Sequence, residues 1–313
     1  MRFLNRKTNI DFMGKRKIAF ILSAILMVAS IVTLSTRGLN FGLDFTGGTL
    51  IEVAFPTAPD TEEVRTKLRD AGLDDAMVQT FGAATEIVVR IPPRDEDESS
   101  AELSTLVLAA LREGVVGEVE MRRVEFVGPQ VGDELTEQGI LAVVYALIGI
   151  FLYVMIRFQW RFSVGAVAAL VHDVLITMGI ISLLQVEFDL TVVAALLAVI
   201  GYSLNDTIVL FDRIRENFPK MRKASPLEVV NTSVNETLSR TLMTSATTLL
   251  VLIALFVFGG EIIHAFAFTL IVGVLVGTYS SIYVASTTLL ELGVSKFDLL
   301  AVEKEGAEID HRP

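Results

Sequence analysis

The stretch IAFILSAILMVASIVTLST, residues 18–36, decides the fold. It carries no charge, and it is as long as a bilayer core requires: about 30 Å of hydrocarbon needs roughly 20 mainly apolar residues. Basic residues precede it, as they would a cleaved signal. Its apolar run nevertheless exceeds the usual signal core of about 7–15 residues, and Thr36-Arg37-Gly38 is a poor small-residue cleavage site. The segment reads as an uncleaved anchor. Five further runs meet the same requirement: 139–156, 163–185, 190–211, 241–258 and 262–290. The expected organisation is an N-terminal segment 1–17, a first span 18–36, a soluble domain 37–135, five spans within 136–290, and a tail 291–313.

Composition agrees. Of the 313 residues, 52% are hydrophobic and the mean hydropathy is +0.58, with the apolar residues gathered in runs. The chain has no cysteine, which excludes disulfides and thiolate chemistry. Its three histidines, His172, His264 and His311, are too scattered to suggest a zinc site. A net charge of −11 argues against a nucleic-acid partner. Residues 37–135 hold 20 acidic against 9 basic residues, so this segment carries the acidity of the whole chain.

Basic residues in short flanks set orientation. Arg2, Arg6, Lys7, Lys15, Arg16 and Lys17 precede the first span. Arg157 and Arg161 follow the second, Arg213, Arg215, Lys220, Arg222 and Lys223 follow the fourth, and Lys296, Lys304 and Arg312 lie in the tail. The alternate loops, 186–189 and 259–261, have none. Both termini are expected inside and residues 37–135 outside; a large domain is translocated largely regardless of its charge.

Within 37–135 the pattern predicts strands at 49–55, 76–80, 86–91 and 119–127 and helices at 61–71 and 99–113, with a polar loop at 92–98. The order βαββαβ suggests a ferredoxin-like sandwich, a fold that names no function by itself. No phosphate loop or nucleophile–base pair stands out, so the domain reads as a binding or levering module.

Ionisable groups inside spans are costly and mark function by default. Asp206, beside Asn205 in span four, serves either proton or ion handling or a structural hydrogen bond between helices. His172-Asp173 lies near the middle of span three, as a functional partner of Asp206 or a buried structural pair. Arg240 opens span five. Thr244, Thr247 and Thr248 continue its face toward a possible water path, although an arginine at a helix end also snorkels. His264 sits at the outer edge, as an interfacial histidine or a proton uptake point. Residues 226–240 read as an amphipathic helix along the membrane surface. Gly273 and Gly277 form a GxxxG, a small-residue pattern that allows close helix packing.

Several stretches, in order, resemble the SecF family of bacterial Sec protein-export subunits. They are Gly42-Leu43-Asp44-Phe45-Thr46-Gly47-Gly48-Thr49, Phe126-Val127-Gly128-Pro129-Gln130-Val131-Gly132, His172-Asp173-Val174, Gly201-Tyr202-Ser203-Leu204-Asn205-Asp206, Arg213-Ile214-Arg215-Glu216-Asn217, Arg240-Thr241-Leu242 and the run from Gly277 to Ser286. The resemblance implies half of a proton-driven transporter of the resistance–nodulation–division type. Its six spans carry a periplasmic domain and work with a similarly built SecD. It implies association with the SecYEG channel, YajC, YidC and the translocating precursor protein in the bacterial inner membrane. It also implies use of the proton-motive force late in export, with ATP hydrolysis left to the SecA motor, and no cofactor or enzymatic activity in this chain. The family's proton-path residues fall on Asp206 and Arg240, with His172, Asp173 and Asn205 as further candidates. Gly47, Gly48, Gly273 and Gly277 are expected to serve structure. Motion set off at Asp206 would reach the external domain through spans one and two. A proton-driven exporter of small molecules or lipids would use the same intramembrane charges, but would want an apolar ligand pocket in the external domain.

Overall fold

The computed structural model describes residues 8–93 and 100–294. A 3₁₀ turn, Met13–Lys15, leads into α1, Arg16–Arg37. A short strand β1, Asn40–Phe41, and a single-turn helix α2, Leu43–Thr46, follow. The soluble domain then runs β2 (Gly48–Ala54), α3 (Thr61–Asp70), β3 (Met77–Phe81), β4 (Ala83–Ile91), α4 (Ser100–Arg112) and β5 (Glu120–Val127). Two long helices, α5 (Pro129–Arg157) and α6 (Trp160–Leu184), return through β6 (Glu187–Phe188) to α7 (Leu190–Lys220) and α8 (Pro226–Phe258). The last span is α9 (Glu261–Ser280), a π-helical turn (Ser281–Ala285) and α10 (Ser286–Glu291). Most of the predicted polar loop 92–98, and the charges Arg2, Arg6, Lys7, Lys296, Lys304 and Arg312, lie outside the described residues.

The described residues form six helical spans long and apolar enough to cross a membrane. Large apolar side chains cover their outer faces, among them Phe20, Val28, Ile148, Leu250 and Phe258. Polar groups such as Asp173, Ser203 and Asp206 are turned inward. That inversion suits a chain whose solvent is hydrocarbon. The described basic residues Arg157, Arg213 and Arg215 gather at one end, where Arg157 pairs with Asp212 at 2.9 Å and Arg215 donates to the Arg157 carbonyl.

Three helices run well past their apolar cores. Span two starts at Pro129 rather than 139, because Gly128 and a first-turn proline open the helix ten residues before the apolar run begins. Span four continues to Lys220. The expected surface helix at 226–240 does not exist as a separate element. Ser225 caps the helix at Pro226, with a reciprocal Glu228 bond, and α8 runs unbroken through Arg240 to Phe258. Its apolar inner turns, Val229, Val230 and Val234, share a core with Phe211, Ile214 and Phe218 of α7 and with Met13, instead of resting on lipid.

The soluble domain has sheet order β3-β4-β2-β5, antiparallel throughout. The core holds Ile51, Val53, Ile87, Val89 and Ile91 of the sheet with Val64, Leu68, Leu103, Val107 and Leu111 of α3 and α4. This is the ferredoxin-like βαββαβ arrangement. The irregular alternation of β5 has a physical cause. A bulge at Glu52/Val53 shifts its register, and Met121, Val124 and Phe126 oppose the buried Val53, Ile51 and Thr49 of β2 yet stay exposed at the sheet's edge.

Gly48 sits at φ +111°, where an added Cβ would meet the Ile91 carbonyl oxygen at 2.3 Å. Gly47 (φ +65°) lies against the backbones of Val127 and Pro129. The two glycines let β2, the end of β5 and the start of α5 converge.

Candidate functional site

The site lies where α7 crosses its neighbours inside the bilayer. Asp206 is about 16 residues from the N-terminal end of α7, or roughly 24 Å at 1.5 Å per residue. The residue is 4% exposed, and Oδ2 is buried with no hydrogen-bond partner among the described residues. Across from it on α8, Arg240 lies close enough for its charge to act on Asp206, and Thr244 faces the same carboxyl. The Thr244 hydroxyl donates back to the Arg240 and Thr241 carbonyls. Thr247 likewise donates to its own helix, to Met243 and Thr244. Asn205 is exposed, one helical step away, and the structure does not bring it to Asp206.

Asp173 is a different kind of carboxylate. It is fully buried and has three neighbours: His172 Nδ1 at 2.9 Å on Oδ1, and the Ser203 and Ser280 hydroxyls donating to Oδ2 at 2.6 and 2.7 Å. His172 Nε2 lies 3.2 Å from Ser23 Oγ, which lies 3.1 Å from the Tyr279 hydroxyl, which donates to the Ala19 carbonyl at 2.8 Å. Each hydroxyl has one proton. Tyr279 gives its proton to Ala19, so Ser23 donates to Tyr279, and His172 Nε2 must donate to Ser23. The network ties α1, α6, α7 and α9 together with every group satisfied. Asp206, by contrast, is left with a free oxygen.

Close packing makes the crossing possible. A Cβ on Gly273 would fall 2.1 Å from Val199 Cγ2, and one on Gly277 would fall 3.0 Å from Ser203 Cβ. The GxxxG of α9 therefore sits directly over α7 and brings Ser280 to Asp173. Gly179 does the same for α6 against Ser30 of α1. In the first turn of α9, the His264 ring packs on Phe256 with centroids 4.0 Å apart. Sequence reasoning passed over Ser23, Tyr279 and the role of Ser203. Their only signal was a hydroxyl inside an apolar run. Among the described residues no group of His, Asp or Glu is placed to hold a metal ion.

Comparison with known proteins fits this geometry. The family model described as protein export membrane protein SecD/SecF, C-terminal, matches residues 107–295, and the SecD/SecF GG motif matches residues 32–55. The protein translocase subunit SecF of Vibrio alginolyticus is 57% identical over 314 residues, covering all of this chain and 99% of its own. This chain belongs to the SecF family. The SecF subunit of Pseudomonas aeruginosa is 50% identical to this SecF-family chain, over 97% of it and 98% of the relative. A crystal structure of SecDF, a translocon-associated membrane protein from Thermus thermophilus, superposes with a TM-score of 0.81 at 38% identity over 93% of this chain. A super-membrane-facing form of SecDF gives a TM-score of 0.68 over 92%. The chain spans 39% of the length of either SecDF chain. The SecF-family motif of residues 42–49 covers the Gly47-Gly48 convergence described above.

Proposed function

We propose that this chain is the SecF-type half of a proton-driven transporter of the resistance–nodulation–division type. With SecD it would couple the proton-motive force to late-stage translocation of precursor proteins across the bacterial inner membrane. The proposal includes cytoplasmic termini, a periplasmic domain at residues 37–135, and contacts with SecYEG, YajC and YidC. It requires no cofactor or nucleotide in this chain.

One observation carries the reading: Asp206 is a membrane-buried carboxylate with an unpaired oxygen, under the influence of Arg240 on the neighbouring helix. Such a group can take up and release a proton without first breaking a filled hydrogen-bond network. Protonation cancels its charge against Arg240 and biases the packing of α7 against α8. One proton moving across 100 mV supplies about 2.3 kcal/mol, enough to shift a two-state equilibrium roughly 50-fold. The hydrogen-bonded His172–Asp173 pair, tied to Ser203, holds α6 and α7 together while α7 repacks against α8.

The test is proton flux into proteoliposomes holding the chain with SecD, under an imposed potential. Asp206→Asn should reduce the flux to the protein-free background. Native-like flux in that variant rejects the assignment.

A further inference from the structure

The segment from β1 to Gly48 stitches three parts of the molecule together. β1 pairs in parallel with β6, Asn40 opposite Glu187 and Phe41 opposite Phe188. The Gly42 N–H donates to the Phe188 carbonyl at 2.8 Å. Asp44 Oδ2 accepts from the backbone N–H of Leu190, the first residue of α7, at 2.9 Å. Asp189 caps the same helix by accepting from Val192 N–H. The rings of Phe41, Phe45 and Phe188 pack together with centroids 5.6–5.9 Å apart. The turn between α6 and α7 is thus bound to the chain entering the soluble domain.

The soluble domain reaches the same turn on its own account. Arg90, on β4 in the interior of the sheet, forms an ion pair with Glu187 of β6. The Arg90 side chain is 14% exposed and the Glu187 side chain 35%. Beside the pair, a cleft of about 510 Å³ is lined by Glu52, Arg123 and Glu125 of the sheet and by Asp189, Thr191 and His264 of the membrane helices. The ion pair bridges the domain to the bundle at the rim of this gap.

We infer that Arg90 and Glu187 are positioning residues that weld the soluble domain to the α6–α7 turn. The domain, the turn and the outer ends of α6 and α7 then move as one body. α7 carries Asp206, and Asp173 of α6 is bonded to Ser203 of α7, so motion begun at Asp206 enters the sheet of the domain directly. The connections through α1 and α5 are a second route. This inference rests on the proton-coupled reading and extends it.

The experiment uses the full chain in its native membranes, with Arg90→Glu, Glu187→Arg and both together. Two quantities are read: gradient-dependent stimulation of precursor export at equal abundance, and hydrogen exchange of residues 185–190 in the purified complex. Each single reversal should speed exchange of the turn and lower stimulation several-fold. The double reversal should restore both. The weld is overturned if the single reversals leave exchange unchanged, or if the double reversal fails to recover it. Absence of gradient stimulation in the native chain would sink the proton reading alone, since exchange still decides whether the pair holds the turn.

Discussion

Replacing Gly273 with alanine adds one methyl group, and its cost can be worked from the structure. The new Cβ would sit 2.1 Å from Val199 Cγ2, 2.7 Å from Cγ1 and 3.0 Å from Cβ. Rotating the valine side chain relieves the first two contacts only by trading one methyl for another, and leaves the third. Val199 is also 1% exposed, with no free space to retreat into. The two helices must therefore separate, which loosens the packing that brings Ser280 and Ser203 to Asp173. Overpacking of this kind costs about 1–3 kcal/mol, and the short distances put Gly273→Ala near the upper end. Val199→Ala removes the two clashing methyls and costs about 1–2 kcal/mol alone. The double variant should then be less destabilised than the sum of the singles by about 1 kcal/mol or more. Unfolding in mixed micelles, followed through the single tryptophan, Trp160, measures all four corners of the cycle. Strict additivity, or a Gly273→Ala chain within about 0.5 kcal/mol of native, would refute the claimed contact.

Three further predictions concern separate parts of the molecule. Asp173→Leu strands the Ser203, Ser280 and His172 donors and should lower the yield of folded chain sharply, whereas Asp173→Asn should preserve gradient stimulation per assembled molecule; quantitative immunoblotting beside the export assay separates the two effects. Gly48→Ala should destabilise the soluble domain by about 2–4 kcal/mol through its clash with Ile91 and its positive φ, while Gly72→Ala, at φ +83° with nothing within 4 Å, should cost about 1 kcal/mol; limited proteolysis of the two chains ranks them. Arg240→Gln should reduce proton flux as far as Asp206→Asn does, and combining them should cost nothing more, because both act on one charge pair.

The spans and the order of the soluble domain were legible because each follows from a local requirement. A bilayer demands an unbroken apolar run, and a half-buried sheet demands alternation. Helix ends were less legible because hydropathy marks where the membrane stops, not where backbone hydrogen bonding stops. Pro129 announced a helix start that hydropathy passed over, and the absence of any glycine or proline from 227 to 241 would have joined 226–240 to span five. The π-helical turn at Ser281–Ala285 had no sequence signal. Gly165 of α6, whose added Cβ would lie 3.2 Å from the Ala285 carbonyl, faces it. Asp206 and the His172–Asp173 pair stood out as charges within spans. What distinguishes them did not, because Ser23 and Tyr279 lie 149 and 107 residues from His172 in sequence. The same holds for the Arg90–Glu187 and Asp44–Leu190 links, which only the folded chain brings together.

The account's central claim is that Asp206 carries the proton step. It is tested most directly by export of a precursor protein into inverted membrane vesicles, with native chain and Asp206→Asn compared at equal membrane abundance. The account predicts that stimulation by the proton gradient disappears in the variant while ATP-driven initiation persists. Unchanged stimulation would contradict it and leave the chain as a structural scaffold for other parts of the translocon.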